Sequence, residues 1–340
     1  MRRIKFISLI LVLTLLMVLA ACQQSSQDLG NNDSGEEKIV NTEDEAGEDT
    51  EKDTEEGVDG DIGRDGQTSY PLTITDSFHR EITIESEPKR IVSLSPAITE
   101  IVYALGKGDN LVARTDYCDY PEEAAELESI GELMDPNIEK IVELEPDLAI
   151  ASAHFQRETL KKLEEAGIKV VILYGEESFE GAYFAIEAVG KVLNAQDAAS
   201  QIVAGMKATV EEVVQKVEGR ERPSVYYVVG FGEWGDYTAG RDTFVGQLIE
   251  MAGGKNAADD IEGWNYSLEK LIEKNPDHFI CSKSNNHKEE LKLAENYKDL
   301  DAIANDRIYE IDKNKLEIQG PRLADGLREL AQYLHPDAFK

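Results

Sequence analysis

The stretch Pro136-Asn137-Ile138-Glu139-Lys140-Ile141-Val142-Glu143-Leu144-Glu145-Pro146-Asp147-Leu148-Ala149-Ile150 returns later as Tyr266-Ser267-Leu268-Glu269-Lys270-Leu271-Ile272-Glu273-Lys274-Asn275-Pro276-Asp277-His278-Phe279-Ile280. Glu, Lys, Glu, Pro and Asp recur at matching places. Each copy reads as a short helix with a polar N-cap, a Pro-Asp turn and then a strand. One copy stands on each side of a long helical pattern. An internal repeat placed in this way is the signature of two similar α/β lobes joined by a helix.

Working outward, residues 159–166 read as a helix with Gly167 as its C-cap, feeding a strand over 169–173. Two helices follow, over 179–193 and 195–217. The second carries Ala198, Ile202, Met206, Val210 and Val214 at four-residue spacing and is long for a globular helix. Upstream lie a hairpin over 71–84, a strand over 90–94 and a helix over 97–105 ending at Gly106. The strand of the first repeat runs over 148–151. Beyond Pro223 the alternation restarts, with strands over 225–229, 278–281 and 307–311 and helices over 243–251 and 323–334. Strands alternating with helices predict mainly parallel sheets. The expected class is α/β: two lobes with mainly parallel central sheets flanked by helices, joined by one long backbone helix. The expected divisions are 70–193, 194–218 and 219–340.

The N-terminus gives an address. Arg2, Arg3 and Lys5 precede an apolar run over 6–19 that is short for a membrane span and reads as a secretory signal over 1–21. Leu19-Ala20-Ala21-Cys22 resembles the lipobox of bacterial lipoproteins, which implies cleavage before Cys22 and lipidation of its thiol. Two or more acyl chains would hold the chain stably on the outer side of the cytoplasmic membrane. That is the periplasmic side if the cell has two membranes.

Residues 23–68 hold 16 acidic and 3 basic side chains and almost no aliphatic ones. By composition, 22–69 is an acidic disordered tether. The whole chain carries −33 at pH 7, so nucleic acid is not an expected partner. With Cys22 assigned to lipid, Cys118 and Cys281 remain, and both read as unpaired, Cys281 in a buried strand.

Gly230-Phe231-Gly232-Glu233-Trp234-Gly235 fits G-x-G-x-x-G after a strand. It raises one alternative, a membrane-anchored NAD-dependent oxidoreductase. Against it, helical periodicity starts only near Thr243, and Glu233 and Asp236 place carboxylates where a pyrophosphate must sit. A cleft loop bearing Trp234 and Tyr237 is the preferred reading. The five histidines are scattered, so no protein metal site is expected. No catalytic motif stands out, and no enzyme activity is expected. Glu139 and Glu269 occupy first helical turns, where a carboxylate complements the helix dipole. Their matched placement also suggests a symmetric docking surface. Open α/β sheets bind ligands beyond their carboxyl strand ends, which singles out Ser95-Pro96, 117–121, Trp234, Trp264 and 315–319.

These residues resemble the helical-backbone (class III) substrate-binding lipoproteins of ABC importers for vitamin B12, ferric siderophores and haem. The resemblance covers about 80–340. Its carriers are 90–96 with Thr99-Glu100, 117–121, 136–139, 145–148, Ala252-Gly253-Gly254-Lys255-Asn256 and Gly320-Pro321-Arg322. It implies that Glu139 and Glu269 meet arginines of the two permease subunits. It also maps ligand contacts to Tyr117, Trp264 and the segment Asn314, Lys315, Leu316, Glu317 and Ile318, in the B12-binding branch. That segment departs from the branch, which carries aromatic and arginine residues there.

The expectation is capture of a metal chelate by a monomeric receptor: cobalamin or another corrinoid first, a ferric siderophore or haem next. The metal arrives inside its own ligand, so no cofactor is needed. A permease and its ATPase complete transport. A chelate sensor without transport is the remaining alternative.

Overall fold

The computed structural model describes residues 67–340 apart from Trp234. The expected signal peptide, Cys22 and nearly all of the acidic segment lie outside the described residues. Thr68, which composition assigns to the tether, is tied into the fold. Its N–H donates to Asn194 Oδ1 at 2.9 Å and its hydroxyl to the Lys191 carbonyl at 2.6 Å. Gln196 Nε2 donates to the same hydroxyl at 2.6 Å, and Tyr70 Oη donates to the Val192 carbonyl at 2.8 Å.

An antiparallel hairpin comes first, β1 (Leu72–Thr75) and β2 (Glu81–Ile84), with Leu72 opposite Ile84. The first α/β series is β3 (Ile91–Ser93), α1 (Pro96–Ala104), β4 (Leu111–Arg114), β5 (Glu128–Ser129), α2 (Ile138–Glu143), β6 (Leu148–Ala151), α3 (Arg157–Glu165) and β7 (Val170–Ile172). Its strands form a parallel sheet ordered β5-β4-β3-β6-β7. Helices α4 (Phe179–Val192) and α5 (Gln196–Val217) lead away from it.

The second series is β8 (Ser224–Val228), β9 (Asp236–Tyr237), α6 (Phe244–Met251), β10 (Lys255–Asn256), β11 (Asn265–Tyr266), α7 (Leu268–Lys274), β12 (His278–Ser282), α8 (His287–Leu293), α9 (Asp301–Ala304), β13 (Ile308–Ile311), α10 (Asn314–Glu317) and α11 (Leu323–Leu334). Its parallel sheet is ordered β10-β8-β12-β13, and β9 and β11 form a separate antiparallel ribbon.

The strands are apolar almost throughout because each sheet is covered on both faces. Successive residues alternate sides. Ile91, Leu148, Ile150 and Val171 of the first sheet share one core with Val225, Tyr227, Ile280 and Ile311 of the second, through the helices between them. Val92, Ala149, Ala151 and Val170 face a core of their own, as do Tyr226, Val228, Phe279 and Cys281. Cys118 and Cys281 are both buried and unpaired.

The sequence repeat is a structural repeat in detail. Asn137 Oδ1 accepts from the Lys140 N–H at 3.0 Å, and Ser267 Oγ from the Lys270 N–H at 3.4 Å. Glu145 and Asn275 then turn the chain with φ of 44° and 41°. Asp147 Oδ2 accepts from the Lys89 and Arg90 N–H groups at 2.8 and 2.9 Å. Asp277 Oδ2 accepts from Ser224 N and Oγ at 2.8 and 2.7 Å. Each repeat aspartate thus fastens the start of its own strand to the start of the neighbouring one, β3 or β8.

Helix α5 has 22 residues, about 33 Å at 1.5 Å per residue. Its buried residues are Ala199, Val203, Met206, Val213 and Val217. The apolar row at strict four-residue spacing is only partly this face. At 100° per residue such a row drifts about 40° per step, and by Val214 it has turned outward, with that side chain 42% exposed. α5 packs on α4 and α11. Where α4 and α5 meet, a Cβ on Gly190 would lie 2.6 Å from Ala199 Cβ, so only glycine permits this approach.

Candidate functional site

All strands of a parallel sheet end on one edge, and the loops leaving the carboxyl edges of the two sheets touch. Asn314 Nδ2, after β13, donates to Asp119 Oδ1, after β4, at 3.4 Å. Gln319 Nε2 donates to the carbonyl of Glu176, after β7. Arg322 reaches Glu100 in α1, with Nε to Oε2 at 2.9 Å and Nη2 to Oε1 at 2.6 Å. Its guanidinium also lies 3.8 Å from the centre of the Tyr120 ring. The two carboxyl edges therefore face each other, the placement at which open α/β sheets bind ligands.

The Glu100–Arg322 pair is buried, at 4% and 9% exposure. Arg322 Nη1 also donates to Asp312 Oδ2 at 2.8 Å. Burial pushes the Glu100 carboxyl above its ordinary range, against the opposing pull of the Arg322 hydrogen bonds. A Cβ on Gly320 would stand 3.3 Å from Glu100 Oε2, so the glycine gives the pair its room. In the sequence, Thr99-Glu100 and Gly320-Pro321-Arg322 carry the family resemblance without a role of their own. The partners are 222 positions apart, and no local pattern joins them.

Tyr117 is 54% exposed on the loop after β4, and its hydroxyl donates to Glu132 Oε2 at 2.7 Å. Tyr237 lies on the β9–β11 ribbon, where it pairs with Asn265, and Trp264 directly precedes β11. The Trp264 carbonyl accepts from the Thr238 N–H at 2.8 Å, and its side chain is 41% exposed. Trp234 lies outside the described residues.

The segment 314–318 divides. Asn314 reaches across to Asp119, and Ile318 is half-buried. Lys315 Nζ turns to Glu329 Oε2 at 2.7 Å, and Glu317 Oε1 accepts from Tyr227 Oη at 2.9 Å, both within the second series. Leu316, at 1% exposure, belongs to the shared core and offers no surface to a ligand. This corrects the reading of five consecutive contacts: the segment is a helical turn, and a turn sends neighbouring side chains in different directions.

Glu139 and Glu269 are exposed in the first turns of α2 and α7. Glu269 Oε2 accepts from Ser267 Oγ at 2.6 Å, which holds its carboxyl below the usual range. The glycine-rich loop has Gly232 and Gly235 at φ of 99° and 103°. It runs into β9, and the next helix opens only at Phe244. Asp236 is buried and accepts from Tyr297 Oη at 2.8 Å. No helix N-terminus stands at the third glycine to receive a pyrophosphate, which removes the dinucleotide reading. Among the described residues no group of three or more His, Cys, Asp or Glu is set to hold a metal ion.

The family described as periplasmic binding protein matches residues 91–315. The uncharacterized ABC transporter substrate-binding lipoprotein YvrC of Bacillus subtilis is 35% identical over 278 residues, covering 80% of this chain and 88% of that one. A cobalamin-binding protein of Halobacterium salinarum is 28% identical over 284 residues, covering 80% of this chain and 76% of that one. Among solved structures, the apo form of the periplasmic haem-binding protein RhuT from Roseiflexus sp. RS-1 superposes with a TM-score of 0.68 at 28% identity, covering 74% of this chain and 99% of that one. Two parallel sheets meeting at their carboxyl edges and a match over 91–315 agree: the chain belongs to the periplasmic binding protein family.

Proposed function

We propose that this chain is the receptor lipoprotein of an ABC importer, anchored through Cys22, which captures a corrinoid between its two lobes and delivers it to a permease. The observation that carries the reading is the meeting of the two carboxyl edges, with Tyr117, Tyr237 and Trp264 on loops and ribbon that leave them. Flat aromatic surface suits a large, flat metal chelate. The Halobacterium relative is named for cobalamin and the Roseiflexus structure for haem.

Charge separates these ligands. The bridging segments carry Asp116, Asp119, Glu176 and Glu177, while their cations are already engaged. Lys313 lies 3.7 Å from Glu317, Lys315 is held by Glu329, and Arg322 by Glu100 and Asp312. A cleft of this kind repels a chelate that presents carboxylates, such as the propionates of haem. It favours a neutral or cationic one edged with amides, which donate to carboxylates.

The test is titration by calorimetry and by fluorescence of Trp234 and Trp264, the two tryptophans of the chain, with cobalamin, haemin and ferric siderophores. A saturable cobalamin isotherm at least tenfold tighter than the others is the expected outcome. Tighter haemin or siderophore binding overturns the corrinoid choice. Silence towards every chelate overturns the receptor reading.

A further inference from the structure

The cleft lies at the carboxyl edges, and the second sheet has a cavity at its opposite end. Beyond the amino ends of β8, β12 and β13, an open cavity of about 660 Å³ is lined by Arg220, Arg222, Arg307, His278, Glu221 and Asp277. Three arginines converge there in a chain that carries −33. Each guanidinium is fixed from behind through Nε. Arg220 donates to the Lys216 carbonyl at 2.8 Å, Arg222 to the Gly254 carbonyl at 3.1 Å and Arg307 to the Asp277 carbonyl at 2.8 Å. Such bonds have an ordinary structural use, which for Arg220 is to cap the C-terminus of α5. They occupy one N–H of the five on each arginine. Arg222 also pairs with Glu250. Arg220 and Arg307 form no ion pair among the described residues, so their Nη groups remain for a ligand.

The carboxylates set a limit. Glu221, Asp277 and the Glu250 held by Arg222 balance the three guanidinium groups. Capture therefore rests on directed hydrogen bonds and not on field strength. Asp277 Oδ2 is already taken by Ser224 N and Oγ, at 2.8 and 2.7 Å, while Glu221 is exposed. Fixed guanidinium forks match the paired oxygens of a phosphate group, and fixing them beforehand lowers the cost of binding. The volume is that of a small-molecule site, and Pro223 and Leu334 add apolar wall. We propose that this amino edge carries an oxyanion site, separate from the cleft, in which Arg220 and Arg307 hold a phosphate group borne by a small molecule or a lipid. The site does not depend on the proposed function.

His278 supplies a reporter. Its Nδ1 lies 3.2 Å from Tyr333 Oη. Burial first, then Arg307 and His335, hold its imidazole below the ordinary range against the pull of Asp277. An anion beside it favours the charged ring and raises that value. The mature chain in neutral detergent is titrated with pyrophosphate, and separately with micelles containing phosphatidylglycerol, by calorimetry and by NMR of the His278 ring. Saturable pyrophosphate binding with a raised His278 pKa supports the site with a free phosphate as ligand. The same response to phosphatidylglycerol alone supports it with a lipid headgroup. Arg220→Gln/Arg307→Gln should weaken binding about tenfold or more, from charge-assisted hydrogen bonds lost. Glu221→Gln removes an exposed lining carboxylate and should tighten binding about twofold. Silence towards both ligands, or wild-type affinity of the double variant, overturns the site. If the double variant melts early, Glu221→Gln decides, and equal or weaker binding overturns it. A parallel loss of cobalamin affinity in the arginine variants would place the anion in the cleft and overturn a separate site.

Discussion

Arg322 meets Glu100 through two charge-assisted hydrogen bonds, Asp312 through a third and the Tyr120 ring through its face. Taking the arginine away strands a carboxylate that is 4% exposed. Arg322→Met should therefore destabilise the fold by about 3–5 kcal/mol at neutral pH, the usual cost of breaking a buried pair from one side, read from urea unfolding. The deficit should shrink towards acid. Burial already raises the folded-state value of Glu100, and without Arg322 it rises further. A raised value favours the fold below the unfolded value and costs stability as pH climbs through the folded one. A deficit independent of pH would mean that Glu100 finds another cation. Adding Glu100→Leu should recover part of the loss at pH 7, since it removes the stranded charge.

Elements were legible in the sequence where their signals are local. The repeat helices, the Pro-Asp turns and the strands after them could be read because cap, turn and apolar run lie within fifteen residues of each other. Strands β4 and β5 were not read. Leu111–Arg114 alternates buried with half-buried residues over four positions, and Glu128–Ser129 is two residues long, too short for either to set a period. Tyr117 and Trp264 stand on the loop after β4 and just before β11, whereas Arg322, which bridges the two edges to Glu100, carries no local mark.

The packed face of α5 was also only partly legible, because a row of four-residue steps leaves the face that contact selects. That contact yields a prediction. Gly190→Ala places a methyl group 2.6 Å from Ala199 Cβ and should cost about 1–3 kcal/mol by overpacking. Ala199→Gly in the same chain should return much of it. Additive losses in the double-mutant cycle would show that α4 and α5 are not in contact there.

At the scale of the whole molecule, two sheets share one continuous core through α4, α5 and α11, while the cleft edges are cross-linked by Arg322. A helix without internal proline does not bend freely, and a shared core resists sliding. Ligand should therefore move the lobes little. Spin labels at Lys161 and Asn305, both exposed and on different lobes, should keep their mean separation when cobalamin is added, with at most a narrower distribution. A clear shift of the mean would point to hinge closure and against a rigid connection.

Thr68 is held by Lys191, Asn194 and Gln196 at the corner where α4 passes into α5. Under the proposed lipid anchor at Cys22, a pull transmitted along the chain would enter the folded body there, shared among three hydrogen bonds and the Tyr70 contact to Val192. The cleft loops, 115–121 and 312–322, lie off that line of force. On the proposed anchoring, the receptor would hang from its pivot and not from its jaws, so dragging it about its mooring would exert no leverage on cargo between them.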